Sequence, residues 1–317
     1  MLTLPDLREK KILFISSREE FSDTIKFRNS NVCLYRDDKC VDRISIHLVL
    51  AIFIIGQISL TSVLLKKLAE HGISIYFMDD SFKVYSSISS EAEGNYMLRS
   101  VQYMFSEKKE LEFSKKLVKN KIANQATVIR KIQRQKYIID DYLLKVDQAR
   151  SIDSIRGIEG NFASIYFSVI FKDVGWYKRS PRTKPDIPNL LLDIGYTFMF
   201  NYIDGMLRLF GFDTYKGIYH QLFFQRKSLA CDLMEPLRPL IDRHLIKQYN
   251  LKVINEKDFK FSQGSFRIKS FDMRKKYADI WLKLIMENKE DIYIFILNFY
   301  RYMLNPVKYS FTEFSYK

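Results

Sequence analysis

Cysteine is scarce. Only three occur in 317 residues, Cys33, Cys40 and Cys231, an odd number with no CxxC spacing. That argues against a disulfide framework and against a thiolate zinc site, and it fits a reducing cytoplasm. Long apolar runs are missing too. The greasiest stretch, Ile46 to Ile55 with Gln57 close behind, falls well short of the roughly 20 apolar residues that span a bilayer. It reads as a buried strand or helix. The opening Met1-Leu2-Thr3-Leu4 has no basic stretch leading into an apolar core, so no secretory signal is expected. No fixed-period repeat and no low-complexity tract is visible. Acidic residues are in deficit, with 37 Asp and Glu against 51 Lys and Arg, a formal charge of +14. Solubility needs far less charge, whereas a surplus of this size creates a long-range field that attracts polyanions. Nucleic acid is the leading partner class, with an anionic membrane surface second.

Hydrophobic residues make up 47%, and the length suffices for two domains with real cores. The first ninety residues read as β-rich. Lys11–Ser16, Asn31–Tyr35 and Ile73–Met78 are short apolar runs bounded by polar turns. Thr61 to Glu70 carries leucines at 64, 65 and 68, a helical spacing, with Gly72 as its stop. One small sheet carrying one helix is the simplest arrangement. Glycine and proline then become rare from Tyr96 to Arg156, where Lys, Arg, Gln and Leu dominate, a helical composition. The boundary is placed near Ser87–Glu93. The fold class expected is α+β: a β-rich N-terminal domain (1–90), a larger all-α domain (91–305), and a mobile tail (306–317). The polar stretch Asp173 to Pro188 holds three of the seven prolines and reads as a long loop, and long loops inside compact domains are often functional. Helical patterning resumes from Asn189 to Phe210.

Three segments could carry chemistry. In Arg156-Gly157-Ile158-Glu159-Gly160, Glu159 lies beside a helical stripe of Ile158, Phe162, Ile165 and Val169. Its glycine neighbours cost a helix about 1 kcal/mol each, which suggests a need for close approach to the carboxylate. Taken alone, Glu159 also reads as an ordinary glutamate at a helix start. His220, one of four histidines, follows Gly211-Phe212-Asp213 and Gly217 on a loop or at a new helix start; alone it could be a surface or capping residue. In Leu229 to Pro239, the leucines at 229, 233, 237 and 240 form a buried stripe, and Asp232 and Glu235 share the adjacent face. Two such carboxylates repel unless a cation separates them. Arg238 could be that cation, or a divalent metal such as Mg²⁺ or Mn²⁺.

In their order and flanking residues, these segments resemble the signature regions of the CRISPR adaptation integrase family, Cas1. The likeness adds Asn189-Leu190-Leu191 with Gly195-Tyr196, and Gly72 to Phe77 in the first domain. The resemblance implies a dimerising N-terminal domain and a helical catalytic domain. By position it makes Glu159, His220 and Glu235 the ligands of Mg²⁺ or Mn²⁺, with Asp232 an auxiliary carboxylate. It implies a homodimer, the small partner protein Cas2, duplex DNA inserted at a repeat array, and no membrane. Three features depart from expectation. The third ligand, Glu235, stands where some members of the family carry Asp. Pro236 pushes Glu235 away from helical angles, and Asp193 stands where the family has a small residue.

Lys178, Arg179, Arg182 and Lys184 of the 173–188 loop, with Arg238, are the expected phosphate contacts. The runs Lys115-Lys116-Lys119-Lys121 and Arg130-Lys131-Arg134-Lys136 could track a duplex backbone or be solvated helix faces. Two rival readings share the composition: a structure-specific repair nuclease without integration, and a catalytically silent basic scaffold that only binds nucleic acid.

Overall fold

A short helix, α1 (Leu4–Glu9), opens the chain, its first turn closed by a capping box between Thr3 and Asp6. The computed structural model describes residues 2–17, 20, 22–89, 95–134, 137–181, 183–221 and 223–316. Among the described residues eight strands follow: β1 (Lys11–Ser16), β2 (Asp23–Arg28), β3 (Asn31–Arg36), β4 (Lys39–Ser45), β5 (Val49–Ile55), β6 (Ser59–Leu60), β7 (Ser74–Met78) and β8 (Val84–Ile88). Helix α2 (Ser62–Glu70), capped by Thr61, lies between β6 and β7.

They form two four-stranded sheets, ordered β1-β5-β7-β8 and β4-β3-β2-β6, rather than the single sheet expected. The extra strands were missed because their hairpin turns carry no glycine. Asn29-Ser30 and Asp37-Asp38 each place two consecutive non-glycine residues at positive φ, 48° and 59°, then 47° and 62°, a geometry that matches the twist of two-residue hairpins. β5 is buried at all seven positions because both of its faces are covered. Ile52 and Ile54 join Ile25, Leu64 and Leu68 in a core beneath the second sheet and α2. Phe53 and Ile55 point the other way, into a core continuous with the helical half.

That half comprises α3 (Tyr96–Tyr103), α4 (Glu107–Gln133), α5 (Asp140–Gln148), α6 (Ile152–Ile170), α7 (Ile187–Phe210), α8 (Ser228–Met234), α9 (Arg238–Asn250), a hairpin of β9 (Phe259–Ser262) and β10 (Ser265–Ile268), and α10 (Phe271–Leu304). The hairpin, turning at Gln263-Gly264, interrupts what was expected to be all-α. Strands therefore dominate before Ile88 and helices after Tyr96 in an α+β fold; residues 90–93 of the expected boundary lie outside the described residues. α7 runs through the centre. Asp186 caps its start, Pro188 fits its first turn where no amide hydrogen is needed, and Gly211 ends it at φ 91°. Its Phe198 packs edge-on to Phe53 of β5 (4.9 Å between centroids) and to Phe82 in the turn between β7 and β8 (6.0 Å). No helix among the described residues is long and apolar enough to cross a membrane.

The terminal segment is anchored, not loose. Phe311 and Phe314 are buried, and Asn120 of α4 exchanges two hydrogen bonds with the Phe314 backbone, at 2.8 and 3.0 Å. Asn124, one turn on, donates to Phe314 O (2.8 Å) and Pro236 O (2.9 Å) and accepts from the Tyr316 amide. These two buried amides clamp the tail against the turn that holds Glu235.

Candidate active site

Glu159 sits on α6, whose fully buried stripe is Ile155, Phe162, Tyr166 and Ile170. The expected residues 158, 165 and 169 flank that stripe half-buried. Gly157 and Gly160 meet nothing: a Cβ built on either has no atom within 4 Å. Their value is open space beside the carboxylate, not close packing within the chain.

Glu235 lies in a single 3-10 turn, Glu235–Leu237, between α8 and α9. Its angles, φ −55° and ψ −48°, are helical despite the proline that follows. The turn tolerates Pro236 in its first positions, and both carboxylate oxygens are held from outside: Arg238 Nε donates to Oε1 (3.0 Å) and Lys121 Nζ to Oε2 (2.6 Å). The same ammonium donates to Glu159 Oε1. Two carboxylates from different elements therefore converge on one positive charge. Burial would push Glu235 up, but the Arg238 guanidinium and the Lys121 ammonium outweigh it and hold its carboxyl well below the usual carboxylate range. Lys121, in turn, stays above its usual range despite its own burial because Glu159 and Glu235 face it.

Lys121 is the residue that sequence reasoning misplaced. It was grouped with Lys115, Lys116 and Lys119 as a possible backbone-tracking run. In fact Lys119 pairs with Asp147 (2.7 Å), Lys115 with Glu112 (3.5 Å), and Lys121 is only 7% exposed. The overlooked signal was its register: Phe113, Leu117 and Val128 are core residues of α4, and Lys121 falls on the same helical face. Lys136 of the second run lies outside the described residues.

His220 is fixed by Asp232, and that is what Asp232 does. Oδ2 accepts from the amides of Ile218 (2.6 Å) and Tyr219 (3.0 Å); Oδ1 accepts from the His220 amide (2.9 Å) and from its Nδ1 (2.6 Å). With Nδ1 carrying the proton towards a carboxylate, Nε2 is left with a lone pair, the arrangement metal-binding histidines use. Asp232 and Glu235, three residues apart, thus serve different partners. The loop wraps this tightly only because Gly217 lacks a side chain: a Cβ there would lie 2.6 Å from Ser228 Cβ and 2.7 Å from His220 O. The neighbouring Tyr219, also unforeseen, donates its hydroxyl to Glu159 Oε2, while Arg156 of α6 reaches back to Tyr219 O (3.0 Å). Burial and Glu159 keep that phenol protonated.

Glu159 and Glu235 are therefore brought together directly, and His220 is joined to Glu159 through its neighbour Tyr219. Among the described residues no group of three or more His, Cys, Asp or Glu side chains is arranged to hold a metal ion as it stands; an ammonium fills the slot between the glutamates. The donor types nevertheless suit Mg²⁺ or Mn²⁺, with two hard carboxylates and one imidazole nitrogen and no thiolate. The three cysteines are free thiols apart from this set.

Beside Glu235 opens a groove of about 960 Å³ with Lys83, Arg179, Lys184, Arg226, Lys227 and Arg238 among its lining residues and the exposed rings of Phe223 and Phe224 at its wall. Arg179 is pinned by Asp193 and by Asn189 Oδ1 (2.9 Å), so Asp193 anchors the basic loop. Burial raises the Asp193 carboxyl against the pull of Arg179. Arg179 and Arg238 both lie over the Tyr196 ring, at 5.3 and 4.6 Å. Lys178 is exposed, near the Tyr177 ring. Arg182 lies outside the described residues.

The family model for "CRISPR associated protein Cas1" matches residues 19–283. A CRISPR-associated endonuclease Cas1 of Thermodesulfovibrio yellowstonii is 30% identical over 257 residues, 75% of this chain and 80% of that protein. A Cas1 protein from Thermotoga maritima has the same fold, with a TM-score of 0.83 at 20% identity over 93% of this chain and 97% of the other. A casposase bound to its integration product also shares it, with a TM-score of 0.78 at 19% identity over 97% and 94%. With the match spanning both the strands and the Glu159, His220 and Glu235 segments, this chain belongs to the Cas1 family.

Proposed function

We propose that the protein is a metal-dependent DNA integrase and endonuclease that inserts short duplex DNA into a CRISPR repeat array. The observation that carries this reading is the convergence of Glu159 and Glu235, from separate elements, on one cationic position, with His220 tethered beside them by Asp232. Mg²⁺ or Mn²⁺ bound by Glu159, Glu235 and His220 Nε2 would supply charge neutralisation at a phosphate and activation of an attacking hydroxyl. The chain's own residues do the positioning. Tyr219 fixes the orientation of the Glu159 carboxylate, Asp232 sets the His220 tautomer, and Arg238 spans Glu235 and the groove. Phosphoryl transfer depends mainly on such positioning and on stabilising charge at phosphorus.

Lys178, Arg179, Arg182, Lys184 and Arg238 take the DNA backbone, in contacts blind to base identity. A homodimer built through the strand-rich domain 1–90, with catalysis in 91–305, the partner Cas2 and a cytoplasmic setting complete the proposal. The fold shared with a casposase bound to its integration product favours strand joining over hydrolysis alone.

The test is an assay with purified protein and Cas2, a short duplex with 3′-hydroxyl ends, and a supercoiled repeat plasmid, with Mn²⁺ or with chelator. Joined product that depends on the metal is expected. Metal-dependent cutting without joining would point to the repair-nuclease alternative, and neither activity to a binding scaffold.

A further inference from the structure

A lysine at a core position of a helix survives only when paired, and Lys121 is paired twice, with Glu159 from α6 and Glu235 from the turn after α8. Without a cation between them those carboxylates would repel, so the ammonium is what lets the two catalytic glutamates approach in the metal-free protein. A divalent ion bound to the same two carboxylates would meet that ammonium as a like charge in a poorly solvated place. The two cations cannot share the slot.

A place for the displaced ammonium exists one turn along the same helix. Gln125 is 1% exposed, and its Oε1 is a buried acceptor with no hydrogen-bond partner. Gln125 and Lys121 line one small cavity of about 120 Å³, together with Glu235, Arg238 and Asp242. Residues four apart on a helix lie on the same face, and the four-carbon lysine stem is flexible. An orphaned acceptor beside a mobile donor, in an open cavity, is otherwise a cost to the fold.

We propose that Lys121 is a swinging counter-ion: it bridges Glu159 and Glu235 while no divalent ion is bound, and moves to Gln125 Oε1 when one enters. Lys121 is then a positioning residue that sets how tightly the ion binds. This inference rests on the metal-dependent reading above.

The test is Mn²⁺ titration calorimetry on metal-stripped protein, with thermal melts in chelator. Lys121→Met should bind Mn²⁺ at least tenfold more tightly than wild type, 1.4 kcal/mol, while melting lower in chelator. A lesion that was merely structural would weaken the ion, not tighten it. Gln125→Leu should leave the chelator melt near wild type and weaken Mn²⁺ several-fold, because the ammonium loses its destination; this arm decides the matter if Lys121→Met does not fold. Wild type binding Mn²⁺ with a folded Lys121→Met no tighter, or with Gln125→Leu unchanged, overturns the swing and leaves the metal site standing. Wild type showing no Mn²⁺ binding at millimolar concentration overturns the metal site itself.

Discussion

Replacing Asp232 with alanine is expected to cost about 3 kcal/mol or more of stability and to remove strand joining with it. The carboxylate is fully buried and is the acceptor for three consecutive amides and for His220 Nδ1. Each buried donor left unsatisfied costs about 1–3 kcal/mol, and the truncated side chain offers nothing in return. His220→Ala makes the informative contrast. The imidazole is partly exposed and its loop remains gripped through the backbone, so the melting temperature should change little. Joining and cutting should both fall by about 10²-fold or more, with duplex binding retained. Denaturant melts alongside the joining assay check the pair. A stable, active Asp232→Ala would show that the loop does not depend on this carboxylate. A His220→Ala protein that joins DNA normally would remove the histidine from the chemistry.

The second large effect concerns Asp242, buried between two phenols, with Tyr166 donating to Oδ2 (2.9 Å) and Tyr196 to Oδ1. Burial raises its carboxyl to about 6, against the pull of both hydroxyls and of Arg238. A raised folded value means that the folded protein holds this proton more tightly than the unfolded chain. The resulting stability is complete below the unfolded value near 4 and is lost as pH rises through 6. Two pH units correspond to about 3 kcal/mol. Asp242→Asn removes the charge, and because hydroxyl protons rotate, both phenols can still find partners in the amide. The variant is expected to be more stable than wild type at pH 8, by up to about 3 kcal/mol, with the advantage gone below pH 4. Urea melts across that range check it. Asp242→Asn equal to or weaker than wild type at pH 8 would mean that the buried charge is better compensated than this geometry implies. Tyr196 lies beneath Arg238 and Arg179, so Asp242 also steadies the floor on which the groove's two inner arginines rest.

What the sequence made legible was local. β1, β7, α2 and the helices holding Glu159 and ending at Gly211 could be placed because apolar spacing and turn residues lie within the segment itself. The second sheet was only partly read, since Asn29-Ser30 and Asp37-Asp38 turn without glycine. Long-range pairing was opaque. The tail is ordered by Asn120, 194 residues away, and no window of sequence carries that. Lys121 looked like one of several helix lysines because its carboxylate partners are 38 and 114 residues distant. Asp193 owes its place to Arg179, whose guanidinium reaches it from the basic loop 14 residues earlier. The glutamates and histidine were recognised by motif, but the roles of Asp232, Tyr219 and Lys121 in assembling them depend on contacts that only the folded chain makes.

The chemistry of this site turns on Glu159, His220 and Glu235 taking one divalent ion between them. A crystal grown or soaked in Mn²⁺, with diffraction recorded near the manganese absorption edge, answers this directly. A single anomalous peak bonded to both carboxylates and to His220 Nε2, with the Lys121 ammonium withdrawn, is the predicted result. Strand joining in Mn²⁺ by a protein whose manganese peak lies away from these three side chains would contradict it.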